Sequence, residues 1–247
     1  MWDWSAFLHY LHNGYLLRGA GVTLVLSLAC LAIGLVCGTI AALMRMSPRP
    51  YLNKPAAFYI WLMRGTPVLV QLIIIYTGLP QLGIKFNVIE ACLLGLGLNE
   101  GAYLAEIIRA GILSVAKGQF DAARSVGMTH AMTMRIIVLP QAMRVIIPPL
   151  GNTFNSLLKT TSLASVISME ELLRRTEVLI QVQFKVLEIF IVAALYYLVM
   201  TTIWGFIQER LEAHFSRSHA PAKVRGAATA PNARTKIEQV LLSHDAQ

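Results

Sequence analysis

Residues 19–44 form an uninterrupted run of twenty-six with no ionisable side chain other than two thiols. At ~1.5 Å per residue a helix of that length reaches about 39 Å, enough to cross a hydrocarbon core of about 30 Å. A second uncharged run covers residues 189–208, and a third, 65–84, is punctuated by Pro67 and Pro80. Only 14% of the 247 residues are charged, against about 25% in an ordinary soluble domain. Such a chain lacks the charge to cover a water-facing surface, so the expected fold is all-α, a polytopic membrane helix bundle.

Two further segments are apolar but carry polar groups. Residues 88–113 contain Glu90, Glu100, Glu106 and Arg109, and 145–169 contain Pro148, Pro149 and Lys159. Charges at membrane depth are costly and usually face a protein interior or a water-filled path. The reading is five spans, at about 19–44, 57–80, 88–112, 145–168 and 188–210, within a transmembrane domain over 19–215. A re-entrant segment is the alternative for the fourth.

Fifteen of the twenty-one basic residues then fall on one side, from Arg45 through Arg144 and into the tail, against Arg18, Lys85, Arg174, Arg175 and Lys185 on the other. The formal charge of +8 is therefore a topology signal: positive residues stay inside, which places the N-terminus outside and the C-terminus in the cytoplasm. This removes the main argument for a nucleic-acid partner. Residues 1–18 are aromatic and read as an extracytoplasmic amphipathic helix rather than a secretory signal peptide. Residues 216–247, rich in Ala, Arg, Pro and Ser, read as a disordered cytoplasmic tail.

No metal or cofactor is expected. His9 and His12 lack a third ligand, and Cys30, Cys37 and Cys92 sit in spans without C-x-x-C spacing. The sequence has no G-x-x-x-x-G-K-[ST] phosphate loop and no nucleophile set, so an enzyme is not expected. Gly34, Gly38 and Ala42, and again Gly97, Gly101 and Ala105, recur every four residues, stripes that let helices approach closely.

The loop at 118–140 is polar enough to leave the membrane and reads as two short helices parted at Gly127. Phe120, Ala123 and Val126 share a face of the first, and Met132, Ile136 and Leu139 a face of the second, with Thr129 as cap. Its pattern is Asp121-Ala122-Ala123, three residues, Gly127, nine residues, then Ile137-Val138-Leu139-Pro140. This resembles the cytoplasmic coupling loop of permease subunits of bacterial ATP-binding-cassette (ABC) importers, with Asp121 where that family usually has Glu. RGTPVLVQL at 64–72, LNEGAYLAEIIRAGILSVAKGQFDAA at 98–123, LPQAMRVIIPPLGN at 139–152 and LLKTTSLASVIS at 157–168 are similar to the polar amino acid uptake branch.

The resemblance implies five spans per permease and pairing with an identical or homologous permease. It also implies two cytoplasmic ATPase subunits on the loops, an extracytoplasmic solute-binding protein and a bacterial inner-membrane location. Coupling falls to Asp121, Ala122, Ala123, Gly127 and Pro140. For the solute path the polar groups at membrane depth are Asn99, Glu100, Tyr103, Asn152, Asn155, Lys159, Thr160, Thr161 and Ser162. Glu100 and Lys159 are candidate poles for an ammonium and a carboxylate; on the alternative reading they lie near an interface, or pair with each other or with a neighbouring helix. Arg64 reads as a helix-entry anchor, and Glu106 with Arg109 as a packing ion pair. An ion-gradient-driven secondary transporter, with Glu100 or Glu106 as proton site, is the competing function, and a non-transporting scaffold a third.

Overall fold

The computed structural model describes residues 2–217, with side chains to 215; the tail expected at 216–247 lies almost wholly outside the described residues. The described residues form helices α1 (Trp4–Leu11), α2 (Gly14–Met46), α3 (Pro50–Gly65), α4 (Val68–Ile73), α5 (Val88–Leu113), α6 (Lys117–Ser125), α7 (His130–Thr133), α8 (Leu139–Thr160), α9 (Leu172–Gln183) and α10 (Val186–Arg217). Short π and 3-10 turns extend α4 to Leu82, join α7 to α8 and prolong α8 to Ile167.

Local chemistry sets the ends. Asp3 caps α1 by accepting from the Ala6 amide, and Asn13 caps α2 through the Tyr15 amide at 2.8 Å. A break at His12-Asn13 thus separates the amphipathic segment from the first span. Pro48 and Pro50 stop α2 and start α3. Glu90, counted among the intramembrane charges, serves the start of α5. Asn87 accepts from the Glu90 amide, and the Glu90 carboxylate accepts from the Asn87 amide, both at 2.9 Å.

Two expected spans take different forms. The second, 57–80, is not one helix: α3 and the α4 helix, extended to Leu82, meet at 104°. Pro67 has no amide hydrogen to donate and holds Thr66 in extended backbone, which ends α3. The fourth is longer than 145–168, because helix continues from His130 to Ile167 and absorbs Pro148 and Pro149. Among the described residues, four helices are long and apolar enough to cross a membrane, or five when the bent pair is one span.

α2 packs chiefly on α5, and α5 also packs on α8. A Cβ added at Gly38 would lie 2.8 Å from the Gly101 carbonyl oxygen, and one at Gly97 would lie 2.8 Å from Ile33 Cγ2. The two glycine stripes are therefore where the backbones close. Leu26, Cys30, Leu72, Cys92, Leu96 and Leu157 fill the space between α2, α4, α5 and α8. Val25, Val36 and Ile40 on α2 and Leu198, Ile203 and Phe206 on α10 remain exposed, the faces a bilayer solvates.

Beyond the spans, Glu171 is wholly buried and joins three helices. Its carboxylate accepts from the Leu173 and Arg174 amides at 2.9 and 2.7 Å, the Tyr197 hydroxyl at 3.0 Å and the Thr23 hydroxyl at 3.4 Å. The first two bonds cap α9 and the others reach α10 and α2, so one side chain fastens these elements. Burial still pushes this carboxyl above its ordinary range.

Candidate functional site: a cavity among α3, α5 and α8

A cavity of about 760 Å³ opens between the bend after α3, the middle of α5 and the wall of α8. Its size suits a small solute. α5 contributes Asn99, Glu100, Tyr103 and Glu106, whose i, i+1, i+4, i+7 spacing puts them along one face. α3 contributes Arg64, its last side chain before the bend, and α8 contributes Thr153, Ser156 and Thr160.

The bend is held by side chains that replace the hydrogen bonds it breaks. Gln71 Nε2 donates to the Met63 and Thr66 carbonyls at 3.0 and 3.2 Å and to the Thr66 hydroxyl at 2.8 Å. Asn99 Nδ2 donates to the Met63 carbonyl at 2.8 Å and to Gln71 Oε1 at 3.2 Å. Asn99 therefore fixes the cavity's frame with its amide nitrogen. The Arg64 guanidinium lies 5.2 Å from the centroid of the Tyr103 ring.

Charges differ in how they are met. Arg109 grips Glu106 through Nη2 at 2.7 Å and Nε at 3.2 Å, as the i, i+3 spacing predicts. Glu100 is only 9% exposed and has no hydrogen-bond or ion-pair partner among the described residues.

Of the residues singled out from sequence, Asn99, Glu100, Tyr103 and Thr160 line this cavity, while Asn152, Asn155, Lys159, Thr161 and Ser162 do not. Lys159 is exposed, and no ion pair joins it to Glu100. The Thr161 and Ser162 hydroxyls donate to the Leu158 and Lys159 carbonyls, at 3.0 and 2.6 Å. Asn155 Oδ1 is buried without a partner among the described residues. Gln208 donates to Asn152 Oδ1 at 3.1 Å, linking α10 to α8. The cause is helical phase: 153, 156 and 160 share a face, whereas 155 and 159 lie on another. Arg64, Thr153, Ser156 and Glu106 are the polar lining residues that sequence reasoning did not place in the path. The i, i+3, i+7 spacing of the three α8 hydroxyls was the available signal.

On the loop, α6 ends in a turn that Gly127 makes possible. Its φ of +78° is left-handed, and the Gly127 and Met128 amides donate back to Arg124 and Ala123 at 2.9 and 3.0 Å. Thr129 caps α7 by accepting from the Met132 amide. Asp121 and Ala122 are exposed, but Ala123 is buried, so Ala123 packs inward rather than offering an approach surface. Val126, expected on one face with Phe120 and Ala123, is 76% exposed because α6 has already ended. Met132 and Ile136 are 48% and 57% exposed, an apolar face with nothing over it among the described residues. Pro140 lies in the first turn of α8. The loop roots on the end of α5 through Ile112, Val115, Val138 and Ala142, with Phe120 packed alongside.

Comparison with known proteins places this architecture. Residues 34–217 match the family model described as binding-protein-dependent transport system inner membrane component. The chain is 38% identical to the glutamine transport system permease protein GlnP of Escherichia coli strain K12, over 85% of this chain and 96% of that one. It is 40% identical to the arginine transport system permease protein ArgU of Corynebacterium glutamicum, over 87% of this chain and 73% of that one. Among solved structures, an amino acid ABC transporter crystallised with histidines has a chain 39% identical, with a TM-score of 0.81, covering 87% of this chain and 99% of that one. These matches set aside the gradient-driven carrier. A helical, multi-pass inner-membrane chain with this loop and this cavity belongs to the family of binding-protein-dependent ABC transport permeases.

Proposed function

We propose that a polar amino acid passes inward through the cavity among α3, α5 and α8, driven by ATPase subunits that dock on the loop at 118–140. The relatives named for glutamine and arginine transport support the solute class. The observation that carries the coupling is one helix. From His130 to Ile167 the backbone stays helical, so the segment bearing exposed Met132 and Ile136 is continuous with the one bearing Thr153, Ser156 and Thr160. Met132 to Ser156 spans about 36 Å at ~1.5 Å per residue. Displacing the loop end therefore moves a cavity wall as a lever, a rigid-body mode of coupling.

Asp121, Ala122 and the Gly127 turn form the exposed part of the docking surface; Ala123 sets its packing from below, and Pro140 joins it to α8. The chain supplies no phosphate loop, so hydrolysis falls to the partner. Two permeases, identical or homologous, enclose the path, and an extracytoplasmic binding protein delivers the solute. The excess of basic residues between and after the spans supports a topology with the N-terminus outside and the C-terminus in the cytoplasm.

Mass spectrometry of the intact complex, purified in mild detergent from its native membrane, tests this reading. Two copies of a phosphate-loop ATPase with two permease chains are expected. Recovery of the chain alone, or only with copies of itself across several detergents, would overturn it.

A further inference from the structure

We propose that the cavity sorts solutes by charge, holding a carboxylate on Arg64 and a cationic group on Glu100, so that amino acids with neutral or cationic side chains bind and acidic ones are refused. The proposal deepens the importer reading and rests on it.

Glu100 lies about 18 Å from the start of α5 and about 20 Å from its end at ~1.5 Å per residue, close to mid-membrane. The residue is 9% exposed, lines the cavity and has no hydrogen-bond or ion-pair partner among the described residues. An ionised carboxylate in that setting is costly unless a cation meets it, and the space before it is the cavity. Glu106, six residues further on, is already gripped by Arg109.

Arg64 is the remaining cation on the lining, and Arg109 is not part of it. One face of the guanidinium lies over Tyr103, and its edge keeps N–H groups in the fork that matches a carboxylate. The opposite wall offers Thr153, Ser156 and Thr160, hydroxyls without charge. The lining therefore presents one cation and two carboxylates. A zwitterion satisfies Arg64 and Glu100 together. A second carboxylate on the solute meets only Glu100 or Glu106, both of its own sign, whereas a cationic side chain meets attraction.

The test is equilibrium binding of radiolabelled arginine, glutamine and glutamate to the permease–ATPase complex in lipid nanodiscs, without the binding protein, so that upstream selection is absent. Arginine or glutamine is expected to bind, with glutamate weaker by about tenfold or more. Glu100→Gln is expected to weaken binding by a similar factor, and Glu100→Asp to restore part of it. Loss of arginine alone in Glu100→Gln assigns the carboxylate to the side-chain cation, and loss of both assigns it to the α-ammonium. Arg64→Gln is expected to remove the preference for arginine over argininamide, which lacks the carboxylate. Intact mass of each variant complex guards against misfolding. The proposal is overturned if glutamate binds as tightly as the other two, or if Glu100→Gln and Arg64→Gln both leave affinities unchanged. Binding of none of the three by an assembled, ATP-hydrolysing complex overturns it too, while leaving the importer reading intact. Failure of the chain to assemble with any ATPase overturns that reading instead.

Discussion

Gly38→Ala adds one methyl group where α2 and α5 come closest. The new Cβ would sit 2.8 Å from the Gly101 carbonyl oxygen and 2.9 Å from Leu104 Cβ, whereas ordinary contact begins near 3.4 Å. A shortfall of 0.6 Å against backbone cannot be relieved by a rotamer change, so the helices must part. Over-packing of this kind costs about 1–3 kcal/mol, and alanine's better helix propensity returns about 1 kcal/mol. The net expectation is destabilisation by up to about 2 kcal/mol, which at 1.4 kcal/mol per decade shifts the unfolding equilibrium by up to about 30-fold. Gly205→Ala is the control, because nothing lies within 4 Å of a Cβ there. Reversible unfolding in mixed detergent micelles, followed by circular dichroism, reads both variants. Equal stability of Gly38→Ala and Gly205→Ala would refute the claim that the glycine stripe sets the α2–α5 distance.

Gly127→Val forces a β-branched residue into the left-handed turn at φ +78°. It should impair solute-stimulated ATP hydrolysis in the assembled complex several-fold, with Gly127→Asn milder because asparagine tolerates that conformation. Gln71→Ala removes the donor that meets the Met63 and Thr66 carbonyls at the bend; it should loosen the setting of Arg64 and raise KM for uptake more than it lowers kcat. The tie between Asp3 and Lys185, 3.0 Å long, has a pH window. Hydrogen bonds from the Ala6 amide and Lys185 hold the Asp3 carboxyl below 3.8, and the bond to Asp3 holds the Lys185 ammonium above 10.5. The lowered carboxyl stabilises above its unfolded value and fails as pH falls through its folded one. The raised ammonium stabilises below its unfolded value and fails as pH rises through its folded one. Hydrogen exchange of the α1 amides should therefore be slowest between these limits, and Lys185→Met should flatten the profile.

The uncharged runs at 19–44 and 189–208 were legible because a hydrocarbon core demands length and the absence of charge, both plain in sequence. Asn87 and Glu90 also spelled a capping box; reading Glu90 as an intramembrane charge overlooked that three-residue spacing. The bend was signalled by Pro67 punctuating the apolar run, but its 104° angle depends on Gln71 and Asn99 satisfying the freed carbonyls, a tertiary arrangement that hydropathy does not report. In the cavity, the depth of polar residues pointed to Asn99, Glu100, Tyr103 and Thr160 but offered Lys159 as the candidate cationic pole. Only the rotation of α8 relative to α5 separates Thr153 and Ser156 from Asn155 and Lys159, and that rotation is fixed by packing such as Gly111 against Ile146. Arg64 was hidden by its place at a helix end, where an interfacial anchor is the commoner role.

Transport through this chain is expected to be driven by ATP rather than by an ion gradient. Solute uptake into proteoliposomes holding the purified permease–ATPase complex measures it directly, with loaded binding protein outside and ATP trapped inside. Uptake is expected to require both ATP and binding protein and to survive an uncoupler. Uptake without ATP that follows an imposed proton gradient and collapses with the uncoupler would contradict it.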